Sequence, residues 1–433
     1  MLKHVKLTNV GPAPKLEFEL SPRLNLITGD NGLGKSFLLD VAWWALTEKW
    51  PSQVNPRMVI GRKALPSGKG DAEIECSAKT SEGELAIKAQ FVRQQQIWER
   101  TSERRMRVNL VLYAMPDGSF AVYDPWRNFF QTMSPEDGVL VRPPAFVFTP
   151  PEVWDGLSSF TDPRISYCNG LIRDWASWQK ENGEAFTYLK AVLRKLSPLR
   201  GDILVPGELT RVSLDDVRDI PTIIMGDGQE VPVVHASSGI RRILAIAYLL
   251  VWTWQEHCKA SKLLGMDTIN QMVLLLDEVE AHLHPSWQRS IVDALLTVIH
   301  ELSADIDVQI LATTHSPLVM ASVEPLFDAA KDAWFDLDLE QTAGKLKTVV
   351  LSHRPFVRHG EASNWLTSEA FDLTSSRSIE AERILEKASL AMSDPNFGKS
   401  EAGLIDQELQ SVLGDTDPFW VRWRYVAEKK GWL

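Results

Sequence analysis

A glycine-rich segment near the beginning of the chain restricts the fold more than any other feature of the sequence. Residues 29–36 read Gly-Asp-Asn-Gly-Leu-Gly-Lys-Ser and match the pattern Gly-x-x-x-x-Gly-Lys-Ser/Thr. An apolar strand pattern over 24–28 precedes this segment, and a helix pattern follows it from Ser36. A loop in this position wraps phosphate groups with consecutive backbone N–H groups, helped by the positive potential of the helix N-terminus. The alternative is a glycine-rich turn without a ligand, and the flanking strand and helix favour the phosphate site.

The phosphate site is predicted to bind ATP and Mg²⁺ in an α/β fold. We expect the Lys35 ammonium to reach the β- and γ-phosphates, and the Ser36 hydroxyl to bind Mg²⁺. The residues expected to contact the nucleotide in this segment are Gly29, Asp30, Asn31, Gly32, Leu33, Gly34, Lys35, Ser36 and Phe37.

A second apolar strand pattern, over 272–276, ends in the adjacent acids Asp277 and Glu278. Ligands of α/β folds bind at the carboxyl ends of the strands, so we expect these acids beside the phosphate loop. Asp277 is predicted to hold Mg²⁺. Glu278 is predicted to polarise the water that attacks the γ-phosphate. The alternative is that both acids only cap the helix that begins near Pro285.

A third apolar strand pattern, over 308–312, runs into Thr-Thr-His-Ser-Pro. A histidine at this point can hydrogen-bond the γ-phosphate or the attacking water, so we predict that His315 is catalytic together with Lys35 and Glu278. A histidine at a strand end is more often structural when it is considered alone. The two neighbouring motifs favour the catalytic interpretation.

A serine-rich turn begins the helix that we predict over 239–254. The sequence Ala-Ser-Ser-Gly precedes a regular apolar stripe, and Ser238 is the expected N-cap. The N–H group of Gly239 would then be available to an anion, and both residues are candidate nucleotide contacts. The alternative is an ordinary capped helix.

Composition excludes several classes of protein. The 433 residues carry a net charge of −11, so DNA or RNA would have to bind through a partner or a local patch. Three cysteines without a Cys-x-x-Cys pair give neither a disulfide framework nor a zinc site. The longest nearly apolar run, 243–254, is shorter than a membrane span. We therefore expect a soluble, cytoplasmic protein that does not enter a membrane.

The order of the four motifs resembles that of the ABC ATPases in the SMC, RecF and overcoming-lysogenization-defect (OLD) group rather than that of transporter subunits. The segments that carry the resemblance are 7–12 (Leu-Thr-Asn-Val-Gly-Pro), 237–239 (Ser-Ser-Gly, in place of the usual Ser-Gly-Gly of the signature motif), 277–285 (Asp-Glu-Val-Glu-Ala-His-Leu-His-Pro) and 312–317 (Ala-Thr-Thr-His-Ser-Pro). The resemblance is close over about residues 1–50 and 230–355.

The resemblance implies a P-loop ABC ATPase head with a mixed sheet, a β-rich lobe and a helical insertion. It also implies ATP hydrolysis by a homo-oligomer, at least a dimer, with shared ATP sites. In such a dimer Ser238 and Gly239 of one copy contact the γ-phosphate that the other copy holds. The Q-loop glutamine of this class has three candidates here, Gln94, Gln95 and Gln96.

The chain is also similar to the stand-alone ATPases of anti-phage systems, such as the Septu ATPase that is paired with an HNH nuclease. This similarity implies a nucleotide-gated switch that controls a co-encoded nuclease. Two alternatives are an ATPase of DNA repair or recombination and an OLD-like nuclease with a degenerate TOPRIM region. Asp336 and Asp338 would be the nuclease acids, but their strand-like context predicts instead the last hairpin of the ATPase head.

Changes in the helix and strand patterns along the chain predict four regions. They are an N-terminal ATPase lobe with the P-loop and a β-rich subdomain (1–150), a mainly helical insertion (151–230), a C-terminal ATPase lobe (231–355) and a C-terminal helical region (356–433). The last region holds a helix pattern over 418–430 that is rich in Arg and aromatic residues. That helix is expected to dock on the chain's own head, with a protein interface or stacking on nucleic acid bases as alternatives.

Overall fold

The computed structural model describes residues 1–80, 83–101, 109–129, 142–198, 203–341 and 347–432. They form two compact units, Met1–Ala362 and Ser363–Leu433. The strands are β1 (Leu2–Val10), β2 (Ala13–Glu19), β3 (Leu24–Gly29), β4 (Glu73–Thr80), β5 (Gly83–Val92), β6 (Ile97–Arg100), β7 (Leu110–Ala114), β8 (Phe120–Tyr123), β9 (Phe146–Phe148), β10 (Leu157–Ser158), β11 (Ser166–Cys168), β12 (Val205–Pro206), β13 (Thr222–Ile224), β14 (Glu230–Pro232), β15 (Gln271–Leu276), β16 (Asp307–Thr313), β17 (Asp332–Glu340) and β18 (Thr348–Arg354). The α-helices are α1 (Lys35–Thr47), α2 (Pro51–Val54), α3 (Pro125–Asn128), α4 (Pro150–Asp155), α5 (Leu171–Glu181), α6 (Glu184–Leu196), α7 (Ser238–Leu264), α8 (Pro285–Gln288), α9 (Ile291–Val298), α10 (Pro317–Val323), α11 (Ala362–Leu366), α12 (Ile379–Ser393), α13 (Lys399–Val412) and α14 (Phe419–Lys429).

A mixed eight-stranded sheet forms the centre of the first unit, in the order β18-β17-β3-β16-β15-β7-β8-β9. The strands from β17 to β7 are parallel. At the edges β18 pairs antiparallel with β17, β8 pairs antiparallel with β7, and β9 pairs antiparallel with β8. Because parallel strands share one direction, the carboxyl ends of β3, β15 and β16 meet at one edge of the sheet. The predicted α/β class with a mixed sheet is confirmed, and three of the predicted motifs follow these strand ends.

A second, antiparallel sheet has the order β2-β1-β4-β5-β6. Helix α1 contacts strands of both sheets, and nearly every side chain from Leu38 to Thr47 is buried, so α1 is apolar on most of its circumference. The ring of Trp43, for example, lies 6.2 Å from that of Tyr113 on β7. The β-rich character predicted after residue 70 is thus divided between two sheets, since β7 and β8 belong to the central one.

The helical part of the first unit differs from the sequence prediction in the length of one helix. The predicted hairpin is present as α5 and α6, with Asn182 in the left-handed conformation at the turn. Helix α7 was expected to end at residue 254 but continues to Leu264. Its apolar spacing is continued by the buried residues His257 and Ser261, and Gly265 ends it in a left-handed C-cap.

The second unit has its own apolar core. Helices α12, α13 and α14 bury Ile384, Ile405, Leu409, Trp420 and Trp423. Helix α14 agrees with the helix pattern over 418–430. On α14 the two tryptophans lie in this core, and the arginines at 422 and 424 are exposed.

Among the described residues, no helix combines the length and apolar character that crossing a membrane requires.

Candidate active site

The phosphate loop joins β3 to α1 in the centre of the main sheet. Gly29 has a φ of 130°, and a Cβ atom built on it would lie 2.3 Å from the carbonyl oxygen of Leu337 on the adjacent β17. Only glycine fits this position without displacing the neighbouring strand. Helix α1 has Gly34 as its N-cap, with no side-chain cap and no acid in its first turn. Its first backbone N–H groups are therefore suited to an anion.

Lys35 is buried within the phosphate loop. Its Nζ donates hydrogen bonds to the carbonyl oxygens of Gly29 at 2.7 Å and Asp30 at 2.8 Å. Burial lowers the pKa of Lys35, and the carboxylates of Asp277 and Glu278 act against this shift. The ammonium thus lies within electrostatic reach of both acids that were predicted to share its site.

Asp277 follows β15 and is 1% exposed. Its Oδ1 accepts a hydrogen bond from the Thr313 hydroxyl at 2.6 Å, while its Oδ2 has no hydrogen-bond partner among the described residues. Burial raises the pKa of Asp277, and the hydroxyls of Ser36 and Thr313 oppose the rise. A buried carboxylate oxygen without a partner, near a serine hydroxyl, fits the oxygen ligands that Mg²⁺ prefers. These two residues are therefore the ones suited to hold the metal.

Glu278 has a left-handed backbone, with a φ of 48°. Its N–H group donates to the Thr313 hydroxyl at 2.7 Å. For a residue other than glycine such a conformation costs about 1–3 kcal/mol and is typical of functional sites. The Glu278 carboxylate lies near enough to the Lys35 ammonium and the His315 imidazole to oppose the lowering of their pKa values.

His315 follows β16 and is held through its backbone by Glu280. The His315 N–H group donates to Glu280 Oε1 at 2.6 Å, and the Thr314 hydroxyl donates to Oε2 at 2.7 Å. Burial lowers the pKa of His315, and the positive charge of Lys35 lowers it further. An imidazole with a pKa below its ordinary value of about 6.5 is neutral at pH 7. One ring nitrogen can then donate a hydrogen bond while the other accepts one.

The serine-rich turn differs from its prediction by one residue. Ser237, not Ser238, is the N-cap of α7: its backbone is extended and its hydroxyl accepts from the Ile240 N–H group at 3.5 Å. Ser238 is the first helical residue, and the side chains of both serines are exposed. Gly239 is buried against the loop after β15. In the described part of the chain no hydrogen bond joins this turn to the phosphate loop of the same chain.

The other predicted contacts occupy different surroundings. Asp30, Asn31 and Gly32 form the exposed tip of the loop, and Leu33 is buried. The ring of Phe37 packs against Gly11. The three candidate Q-loop glutamines, 94–96, lie in the exposed turn between β5 and β6.

Sequence reasoning missed three residues that hold the site together: Arg242, Glu280 and Thr313. Arg242 donates to the carbonyl oxygens of Asp277 and Glu278 at 2.7 and 3.3 Å. Glu280 had a visible signal, since it is part of the quoted Asp-Glu-Val-Glu run. Thr313 and Arg242 contact residues about 35 positions away, and their local sequence gives no sign of it.

Two family descriptions match the chain. "AAA domain, putative AbiEii toxin, Type IV TA system" matches residues 128–321, and "AAA domain" matches residues 4–111. The second of these segments contains the phosphate loop, and the first contains the serine-rich turn and the ends of β15 and β16. Both descriptions name an AAA domain, and together with the motif order they support a P-loop ATPase of the ABC type.

The chain resembles two retron probable ATPases and a Septu protein. It is 23% identical over 231 residues to "Retron Ec83 probable ATPase" of Escherichia coli, covering 52% of this chain and 36% of that protein. It is 23% identical over 120 residues to "Retron Vc95 probable ATPase" of Vibrio cholerae serotype O1 biovar El Tor, covering 27% and 21%. It is 22% identical over 320 residues to "Septu protein PtuA" of Bacillus thuringiensis, covering 73% and 72%. The chain therefore spans well under half the length of both retron proteins.

Solved structures that align with the ATPase include two SMC heads. The alignment with the SMC head domain from Thermotoga maritima covers 82% of this chain and 99% of the solved chain, at 15% identity and a TM-score of 0.38. The SmcHead bound to the C-winged helix domain of ScpA covers 81% and 97%, at 14% identity and a TM-score of 0.40. The fold assignment of the ATPase rests on its own strand order and on the position of the motifs.

The contacts of Glu280 give the first testable prediction. Glu280→Ala removes both acceptors that hold residues 314 and 315, so His315 loses its fixed position while the phosphate loop stays intact. We expect kcat for ATP to fall by roughly tenfold, less than the roughly 10²–10⁴-fold contribution of a catalytic acid or base itself. The dissociation constant for ATP should stay within about threefold of that of the unchanged protein, because the phosphate loop makes the binding contacts.

Glu301→Ala is the matched control, because Glu301 is an exposed glutamate of the same unit. Steady-state turnover and equilibrium binding of a fluorescent ATP analogue are measured for all three proteins. A kcat of Glu280→Ala equal to that of the control would show that Glu280 does not position His315.

Proposed function

We propose that this chain binds ATP with Mg²⁺, hydrolyses it, and uses the nucleotide as a switch between copies of itself. The observation that carries the proposal is the arrangement at the carboxyl edge of the central sheet. There the phosphate loop with Lys35 lies within electrostatic reach of Asp277, Glu278 and His315. These residues follow three strands, β3, β15 and β16, that lie in separate parts of the chain.

The proposed roles follow from the surroundings of each side chain. Lys35 pairs with the β- and γ-phosphates, and Ser36 and Asp277 hold Mg²⁺, which when bound offsets the charge of the phosphates. Glu278 accepts the proton of the attacking water. The neutral His315 donates a hydrogen bond to the γ-phosphate or the water.

The second copy is proposed from the position of the serine-rich turn. Ser237 and Ser238 are exposed, and a helix start with exposed serines is suited to a phosphate that another molecule presents. In this arrangement Ser237, Ser238 and Gly239 of one copy contact the γ-phosphate held by the other copy. The active protein is then at least a dimer with shared ATP sites.

A partner nuclease is the proposed target of the switch. Support comes from the similarity to the Septu protein, which extends over 73% of this chain and 72% of that protein. Asp336, the candidate acid of the alternative nuclease reading, accepts a hydrogen bond from the Thr28 hydroxyl at 2.7 Å and has Arg354 at 3.7 Å. This favours a structural role beside the phosphate loop. In the described residues, no group of three or more His, Cys, Asp and Glu is arranged to hold a metal ion.

Two substitutions separate binding from hydrolysis. Lys35→Ala removes the charge paired with the phosphates, so the affinity for ATP should fall by at least roughly tenfold. Glu278→Gln keeps the shape of the site and removes the base, so binding should persist while kcat falls by about 10²–10⁴-fold. Lys69→Ala and Glu301→Gln, at exposed positions, are the controls. If purified Glu278→Gln hydrolyses ATP at the control rate, Glu278 is not the base.

Nuclease activity should require a partner. We expect the pure chain to leave plasmid DNA intact with Mg²⁺ or Mn²⁺, and cleavage to occur when a co-encoded nuclease, for example of HNH type, is added with ATP. Agarose gels of supercoiled plasmid give the measurement. Metal-dependent cutting by the pure chain that disappears in both Asp336→Asn and Asp338→Asn would contradict the proposal and favour the OLD-like nuclease.

A further inference from the structure

Helix α7 contacts the catalytic strand end one turn after its exposed serines. Arg242 is 7% exposed, and its Nη2 donates to the carbonyl oxygens of Asp277 at 2.7 Å and Glu278 at 3.3 Å. Its Nη1 donates to the carbonyl oxygen of Met115 at 3.0 Å, directly after β7. One side chain of α7 therefore holds the ends of two neighbouring strands, β7 and β15.

A second contact joins the same turn of α7 to the loop that follows β15. A Cβ atom built on Gly239 would lie 2.4 Å from the carbonyl oxygen of His282, so glycine is needed for this close approach. His282 has a φ of 63°, which is uncommon for a residue other than glycine. The loop 277–283 is thus attached to α7 near both of its ends.

Charge reinforces the attachment. Burial lowers the pKa of Arg242, while the carboxylates of Asp277, Glu278 and Glu280 act against this shift. An arginine stays protonated in proteins, so Arg242 supplies positive charge to this acidic loop. Its Nε has no hydrogen-bond partner among the described residues, so its hydrogen bonds come from the two terminal nitrogens. The guanidinium is oriented by the backbone carbonyls of Met115, Asp277 and Glu278.

We propose that Arg242 is a positioning residue that transmits contact at Ser237 and Ser238 to Glu278 of the same chain. The inference rests on the proposed function, because the contact is made by the nucleotide of a second copy. An α-helix is rigid over one turn, so a displacement of its first residues also displaces Arg242. The carbonyl oxygens of Asp277 and Glu278 follow, and the strained backbone of Glu278 lets it take up its working position when the copies are engaged.

Two variants at this position test the proposal. Arg242→Met keeps the apolar stem and removes the donors and the charge, and Arg242→Lys keeps the charge with fewer donors. We expect Arg242→Met to bind ATP within about threefold of the unchanged affinity, because the phosphate loop is untouched, and to lose at least roughly tenfold in kcat. Arg242→Lys should recover part of that loss. Lys259→Met, at an exposed position on the same helix, is the control.

A double-mutant cycle distinguishes transmission from simple support of the fold. Ser237→Ala and Arg242→Lys are measured singly and together for kcat. If the two residues act along one path, the fold-loss of the double variant is smaller than the product of the single losses. A multiplicative result would overturn the proposal. Unchanged kcat in both Arg242 variants would also overturn it. Loss of ATP binding in both variants would do the same, because Arg242 would then only stabilise the fold.

The unchanged protein and Glu278→Gln are run beside these variants in light scattering with and without ATP. If the unchanged protein does not hydrolyse ATP and the Glu278→Gln variant forms no larger species with ATP, the proposed function fails. If both occur and the Arg242 variants behave like Lys259→Met, the failure belongs to this inference alone.

Discussion

The hydroxyl of Thr313 is the interaction on which the site depends. It donates to Asp277 Oδ1 at 2.6 Å and accepts from the Glu278 N–H group at 2.7 Å, so one side chain of β16 fixes both acids that follow β15. The two strands are parallel, with Leu276 opposite Ala312, and this register brings Thr313 level with the acids. A slip of one residue would turn the hydroxyl to the other face of the sheet. The position of these two acids is thus set by strand pairing.

Positive charges near this hydroxyl stabilise the acidic side chains in their largely buried surroundings. Asp277, Glu278 and Glu280 carry negative charge, and the cations near them are Lys35 on α1 and Arg242 on α7. Burial alone raises the pKa of Asp277 and lowers those of both cations, so each charged group is stabilised by the others. The two cations come from the two helices that carry the phosphate loop and the serine-rich turn. The charge balance therefore connects the phosphate loop and the serine-rich turn to one acidic loop.

The sequence predicts those parts of the site whose residues form a motif over a few consecutive positions. The loop 29–36, the acids after β15 and His315 after β16 each combine a chemical motif with an apolar strand, and the structure brings them to one edge. The N-cap was assigned to Ser238 rather than Ser237 because two adjacent serines cap equally well, and the backbone angles decide between them. Arg242 could not be assigned, because its partners are distant in the chain. Glu280 stands in the quoted Asp-Glu-Val-Glu run, but its contacts with residues 314 and 315 depend on tertiary packing. The same holds for β7 and β8, whose pattern fits either sheet.

The central claim is that each ATP site is built from two copies, and mixing two inactive variants tests it most directly. Glu278→Gln leaves the serine-rich turn intact, and Ser238→Arg blocks that turn at an exposed position while leaving Glu278 intact. In a mixed dimer one site combines the intact parts of both chains. An equal mixture should therefore regain roughly a quarter of the unchanged ATPase rate, since half of the dimers carry one working site of two. A mixture no more active than its two components measured separately would contradict the account.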